Sequence, residues 1–113
     1  MTVTISISDS PDDIWMAQNV VFCEFANLVI DQFLDDKEII SQVELAEAMN
    51  GISLDDLYEE NPKLAIRLRR AFQTVAKDVG QGRNWASDKS KIDIQILFVN
   101  LVKLLEKFHP EAQ

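Results

Sequence analysis

Seven carboxylates in two short groups are the residues of this sequence best suited to chemistry with a charged ligand. One group follows a hydrophobic segment and the other crowds a short stretch further along; together they are Asp31, Asp35, Asp36, Asp55, Asp56, Glu59 and Glu60. Clustered carboxylates bind cations or basic proteins. Neither the Asp35–Asp36 pair nor the Asp55–Asp56 pair is followed by the glycine and the regularly spaced oxygen ligands of a calcium loop. We therefore predict that these side chains contact a partner protein with a basic surface.

Other reactive side chains give little support to catalysis. Cys23 lies between Phe22 and Phe25 with no cationic neighbour, which is typical of a buried apolar thiol. Glu106 and His109 have the Glu-x-x-His spacing of a di-iron helix, but such a site needs two such pairs and the chain has one histidine. No glycine-rich phosphate loop is present. The sequence predicts no enzyme activity, no cofactor and no metal site.

Charge is distributed unevenly along the chain. Residues 1–62 hold fourteen carboxylates and one base, a formal charge of −13, and residues 63–113 hold ten bases and five carboxylates, or +5; the sum is the net charge of −8. One interpretation is that the two halves attract each other within a single fold. The other is that one pole stays open for a charged partner.

The segment "SQVELAEAM", which begins at Ser41, resembles the first helix of helix-turn-helix repressors. In that family a glutamine near the start and an alanine four residues later, here Gln42 and Ala46, let the second helix pack closely. The resemblance implies a DNA-reading helix over residues 53–60. That stretch holds four carboxylates, which repel phosphates, so nucleic acid is a disfavoured partner. A basic stripe on a later helix lacks interleaved aromatic residues for base stacking; it consists of Lys63, Arg67, Arg70 and Lys77.

Local patterns place the elements that must position these residues. "TVTISIS" alternates apolar and polar residues with the period of a strand, and we treat residues 1–9 as an extended arm. Ser10, Pro11 and Asp13 are typical of a helix start, which predicts a first helix from Pro11 to Leu34.

Cap signals predict the remaining helices. Ser41 with Glu44 predicts a helix ending at Gly51, and Ser53 with Asp56 predicts a short one after it. Asn61 and Pro62 open a helix to Gly80, and residues 80–90 form a loop in which Trp85 packs against the helices. Residues 91–96 alternate as a strand would, but the longer helical spacing of apolar residues predicts a last helix from Lys91, ended by Pro110.

These elements predict an all-α fold, a four- or five-helix bundle with a short extended N-terminal arm, in one domain of residues 1–113. The predicted function is non-catalytic binding of a basic protein, as an inhibitor, immunity protein or antitoxin-like neutraliser. One alternative is a DNA-associated regulator that uses residues 41–60. Another is a homodimeric assembly factor, because the apolar arc from Ile14 to Phe33 is wider than one neighbouring element covers.

The positions of charged residues and the hydropathy of the chain predict its cellular compartment. The first basic residue is Lys37, and the most apolar stretch is interrupted by Glu24 and Asn27. A single cysteine permits no intramolecular disulfide. We expect a cytoplasmic protein without membrane contact, and a homodimer formed through the first helix or the N-terminal arm.

Overall fold

A computed structural model of the chain describes residues 2–83, 85 and 91–108, and it combines five helices with three strands. The elements in chain order are β1 (Thr2–Ser6), a 3-10 turn (Pro11–Asp13), β2 (Ile14–Gln18), α1 (Asn19–Gln32), α2 (Lys37–Met49), β3 (Gly51–Ser53), α3 (Leu54–Glu60), α4 (Pro62–Gly80) and α5 (Lys91–Glu106).

The prediction of an all-α fold was wrong, because the N-terminal region forms a three-stranded mixed sheet of order β2-β1-β3. β1 is its central strand, so residues 1–9 are not a separate arm. β2 pairs with it antiparallel, with Thr4 opposite Met16, and β3 pairs parallel, with Ile5 opposite Ile52. Two neighbours satisfy the backbone groups of β1 on both sides, which a strand in a purely helical bundle would lack.

The predicted first helix was wrong in its N-terminal part. Ser10 does cap, since its hydroxyl accepts a hydrogen bond from the Asp12 N–H, but the helix it starts is a single 3-10 turn. Residues 14–18 then form a strand whose Trp15 and Ala17 are buried while Ile14 and Met16 face solvent. Strand geometry puts both buried side chains on the inner face with Val3 and Ile5, and α1 begins only at Asn19.

An aromatic cluster joins the sheet to the helices at the centre of the molecule. The Phe25 ring of α1 lies 5.0 Å from Phe98 of α5 and 5.5 Å from Phe72 of α4, measured between centroids. The ring of Trp15 lies tilted against that of Phe98, with 5.3 Å between centroids, and its indole N–H donates to the Leu97 carbonyl at 2.9 Å. The indole therefore fixes β2 against α5 both by packing and by a hydrogen bond.

Several helix boundaries agree with the cap signals. Ser53 and Asn61 accept hydrogen bonds from the N–H groups three residues later, and α4 runs from Pro62 to Gly80 as predicted. α2, however, begins at Lys37, because the Asp36 carboxylate accepts from the Ile39 N–H at 3.2 Å. Ser41 and Glu44 therefore lie inside the helix and cap nothing.

The C-terminal segment is helical, as the longer apolar spacing indicated. α5 starts at Lys91, so residues 91–96 belong to the helix. Trp85 is half-buried with its ring 5.4 Å from that of Phe98, which confirms the predicted packing. Most of the predicted 80–90 loop, together with His109 and Pro110, lies outside the described residues. Among the helices that are described, none is long and apolar enough to cross a membrane.

Candidate functional site

The first acidic group lies at the corner between α1 and α2, where one arginine engages it. Arg67 reaches from α4 and places its Nη2 atom 3.3 Å from the Asp36 carboxylate and 2.9 Å from the Glu38 carboxylate. Its hydrogen bond to Glu38 and the nearby negative charges raise the pKa of the guanidinium above its usual value. Asp36 thus caps α2 and binds Arg67 with the same oxygen atom, Oδ1, which makes it a structural residue.

Asp31 and Asp35 at this corner remain exposed. Neither has an ion-pair partner within 4 Å in the described part of the chain. They line a broad concavity of about 1040 Å³ whose wall includes Phe33, Leu34 and Arg67. Among the described residues that line this concavity, Arg67 and Lys37 are the two bases that offset its negative charge.

The second acidic group occupies α3. Asp55 and Asp56 lie in its first turn, where the helix dipole favours negative charge. Glu59 and Glu60 are exposed near its end. Across residues 2–83, 85 and 91–108, no base lies within 4 Å of any of these four carboxylates. Of the two bases nearest the start of α4, Arg67 binds the first acidic group, whereas Lys63 is exposed without an ion pair to described residues.

A groove between α2 and α3 joins apolar surface to part of this acidic group. It has a volume of about 380 Å³, and its lining consists of Gln42, Leu45, Ala46, Met49, Gly51, Ile52, Ser53, Asp56, Leu57 and Glu60. Leu45 and Met49 lie one helical turn apart on α2 and are 53% and 70% exposed. Asp56 and Glu60, four residues apart on α3, therefore share one face of their helix and carry charge into the groove.

The seven predicted residues are thus only partly brought together. Asp31, Asp35 and Asp36 share the α1–α2 corner, and Asp56 and Glu60 share the α2–α3 groove, with α2 running between the two places. Sequence reasoning missed Leu45 and Met49. Their spacing along α2 was visible in the sequence, but an apolar pair on a helix is read as core unless the position of the next helix is known.

The segment that resembles a helix-turn-helix has a different connection between its helices. Asn50 ends α2 in the left-handed region with φ of 61°, and residues 51–53 then form β3, which pairs with β1 in the sheet. α3 therefore follows a strand, and its seven residues include the four carboxylates. This geometry adds to the electrostatic argument against a DNA-reading helix.

The basic stripe of α4 is divided between two surroundings. Arg67 belongs to the acidic corner, while Arg70 and Lys77 line a shallow groove with Gln73 and Thr74. Within the described residues no three side chains of the metal-ligating types lie close enough to hold a metal ion.

Cys23 is half-buried on α1 and faces α2. Its Sγ donates to the Glu47 carboxylate at 3.3 Å, and burial, followed by this hydrogen bond and the negative charge of Glu47, raises the pKa of the thiol. A raised pKa means a smaller thiolate fraction at neutral pH, which is the opposite of an activated nucleophile.

We expect Glu47→Gln to move the pH profile of Cys23 alkylation to lower pH, because the variant removes the carboxylate charge that opposes ionisation. Rates of iodoacetamide modification measured across the alkaline range, with mass spectrometry as readout, give the profile. Glu44→Gln on the exposed side of α2 is the matched control and should leave it unchanged. Identical profiles for the wild type and Glu47→Gln would contradict this account.

Comparisons of the chain with protein-family models, with curated proteins and with solved structures find no match.

Proposed function

We propose that this protein is a non-catalytic acidic binding module whose α2–α3 groove takes a basic, amphipathic segment of a partner protein. The observation that carries the proposal is the combination of exposed Leu45 and Met49 with Asp56 and Glu60 in one groove. Two large exposed apolar side chains beside carboxylates that have no ion pair to a described base are typical of an interaction surface.

The chemistry of the groove favours a helical ligand. Helices that bind in grooves insert apolar side chains spaced three or four residues apart, and Leu45 and Met49 present contact surface over one turn. Lysine or arginine on either side of such a ligand would approach Asp56 and Glu60. Asp31 and Asp35 at the α1–α2 corner extend the negative surface beyond α2 and would attract the partner at longer range.

The biological role that fits such a module is an inhibitor, immunity protein or antitoxin-like neutraliser of a basic protein in the cytoplasm. The two alternatives have weaker support. A DNA-associated regulator would have to present the acidic α3 to phosphates. Dimerisation through α1 was predicted from its wide apolar arc, and in the structure Phe22, Phe25, Ala26 and Val29 of that helix are buried within one chain.

The proposal is tested with an amphipathic lysine–leucine peptide of about 18 residues, or five helical turns. We expect Leu45→Ser/Met49→Ser to weaken its binding by about tenfold or more, because transfer of one such side chain from water contributes roughly 1.5–3 kcal/mol and about 1.4 kcal/mol is tenfold in Kd. Fluorescence anisotropy with labelled peptide measures the affinity. Binding should also weaken from about 0.1 M to 1 M salt as the Debye length shrinks.

Two controls separate groove binding from general attraction. Leu34→Ser removes a comparably exposed apolar side chain, 64% exposed, outside the groove and should retain wild-type affinity. Asp56→Asn/Glu60→Gln should reduce the salt dependence. Equal affinity of the wild type and Leu45→Ser/Met49→Ser would show that the groove is not the binding site.

A further inference from the structure

The outer edge of β2 is open in the described part of the chain. The sheet order β2-β1-β3 leaves β2 and β3 as edge strands. β3 is three residues long and is held between α2, which precedes it in sequence, and α3, which follows it. β2 is longer, at five residues, and an exposed edge strand is a template for pairing with another strand.

Two hydrogen bonds identify the backbone groups that point outward from β2. The Ile7 N–H donates to the Asp13 carbonyl, so the pair of residues 7 and 13 is a hydrogen-bonded pair of the antiparallel ladder. Because such pairs alternate, Trp15 and Ala17 bond to β1, whereas Met16 turns its N–H and C=O groups away from it. The Ile14 carbonyl and the Gln18 N–H point the same way; the Ile14 N–H belongs to the end of the 3-10 turn, and the Gln18 carbonyl to the start of α1. The Thr4 N–H donates to the Asn50 carbonyl on the β3 side, which agrees with this alternation.

β2 lacks the features that usually prevent strand pairing. Its sequence, IWMAQ, contains no charged residue and no proline, and its register with β1 is continuous. The side chains of Ile14 and Met16, on the face of β2 opposite the buried Trp15 and Ala17, are 41% and 59% exposed. On the neighbouring α5, which β2 contacts through Trp15 and Leu97, Ile96 and Val99 are exposed as well.

Charge near β2 is balanced, in contrast to the rest of this acidic molecule. Asp12, Lys103 and Lys107 line a groove beside Ile14, and Lys107 binds the Asp13 carboxylate at 3.4 Å. Two carboxylates therefore face two ammonium groups. Asp56 and Glu60 of α3 and the carboxylates of the α1–α2 corner line other grooves, so a second copy with its own charge of −8 meets little repulsion at this edge.

We propose that β2 pairs antiparallel with β2 of a second copy of this chain, with a two-fold axis at Met16. A two-fold axis at the middle residue aligns the whole five-residue strand with itself and places Gln18 opposite the second copy's Ile14. The Met16 N–H of each copy donates to the Met16 carbonyl of the other, and the Gln18 N–H donates to the Ile14 carbonyl. The result is one continuous six-stranded sheet. This pairing does not depend on whether the α2–α3 groove binds a partner.

A cysteine cross-link tests both the contact and its register. In a Cys23→Ser background, Met16→Cys is expected to form a disulfide-linked dimer under mild oxidation, because opposed residues of a hydrogen-bonded pair have Cα atoms roughly 5.5 Å apart, within disulfide range. Gln18→Cys is the matched control. Its two copies would stand roughly 14 Å apart along the strand, so it should cross-link far less.

Sedimentation tests the dimer without any cross-link. The wild type should sediment at micromolar concentration as a dimer of the 12.9 kDa chain. Met16→Lys should shift the protein from dimer to monomer. Leu34→Lys, at a similarly exposed position outside β2, should leave the dimer intact. A monomeric wild type, or equal cross-linking of Met16→Cys and Gln18→Cys, would overturn the proposal. Pairing of β2 with a different protein would give the same monomeric wild type and counts against it.

Discussion

Replacement of Phe25 by alanine is expected to lower the free energy of unfolding by about 3–5 kcal/mol, the usual loss for a large aromatic side chain removed from a core. Phe25 is completely buried, and its ring lies within 6.4 Å of those of Trp15, Phe22, Phe72 and Phe98, measured between centroids. Loss of that ring leaves a cavity where β2, α4 and α5 meet. Urea denaturation followed by circular dichroism gives the free energy of unfolding.

Phe33→Ala is the matched control for this prediction. Phe33 ends α1 and is only half-buried, so its removal exposes existing surface and creates a smaller cavity. We expect less than half of the loss seen for Phe25→Ala. Because a total stability of about 5–15 kcal/mol is typical of a domain, Phe25→Leu serves as a milder variant if the alanine variant does not fold. Equal losses at both positions would show that the aromatic cluster is not the centre of the core.

The helices were predictable where the signal is local. Ser53 and Asn61 each accept a hydrogen bond from an N–H three residues later, so residue type and spacing alone located the starts of α3 and α4. The start of α2 was not predictable in this way. Asp36 rather than Ser41 caps it, and Asp36 is also held by Arg67, which lies 31 residues away in sequence.

The sheet was missed because its partners are distant in sequence. Ser10 and Pro11 favour a helix, and they do start one, but it stops after a single turn. Whether residues 14–18 continue as helix or strand depends on β1, which without them would have only the short β3 as a partner. β3 could not be recognised at all from three residues, since only its parallel pairing with β1 makes it a strand.

The acidic residues of the candidate site could be predicted from the sequence, whereas the groove that some of them line could not. Its seven carboxylates were predicted from their clustering in the sequence, but the structure shows that one of them, Asp36, binds Arg67 and caps α2. The α2–α3 groove is lined by residues of both helices, so its shape depends on where α3 lies beside α2. The sequence of α2 alone therefore could not show that Leu45 and Met49 are exposed.

Gly51 is the residue that lets β3 approach β1 closely. It joins α2 to β3 with φ of 158°, opposite Thr4 in the parallel ladder. A Cβ atom at this position would lie 2.6 Å from the Thr4 hydroxyl oxygen and 2.8 Å from the Thr4 carbonyl oxygen. The hydroxyl can rotate away, but the carbonyl belongs to the backbone of the central strand and can move only if β3 separates from β1.

We therefore expect Gly51→Ala to lower the free energy of unfolding by roughly 1–3 kcal/mol, the range of backbone strain and of added volume at a close contact. Thr4→Ala in the same chain removes the hydroxyl contact and leaves the carbonyl contact, so the double variant should recover only part of the loss. Gly82→Ala is the comparison variant. Its φ of 82° also strains an alanine, but the nearest atom there is the flexible amide end of Gln95, so this variant carries backbone strain without a backbone contact and should cost less. Full recovery of stability in the double variant would show that the side chain of Thr4, and not the approach of the two strands, requires glycine at this position.

The Gly51→Ala variant also separates the two proposed contacts. Because Gly51 and Ile52 line the α2–α3 groove, the folded variant should bind the lysine–leucine peptide more weakly than the wild type. Dimerisation of this variant through β2, on the opposite edge of the sheet, should be unchanged.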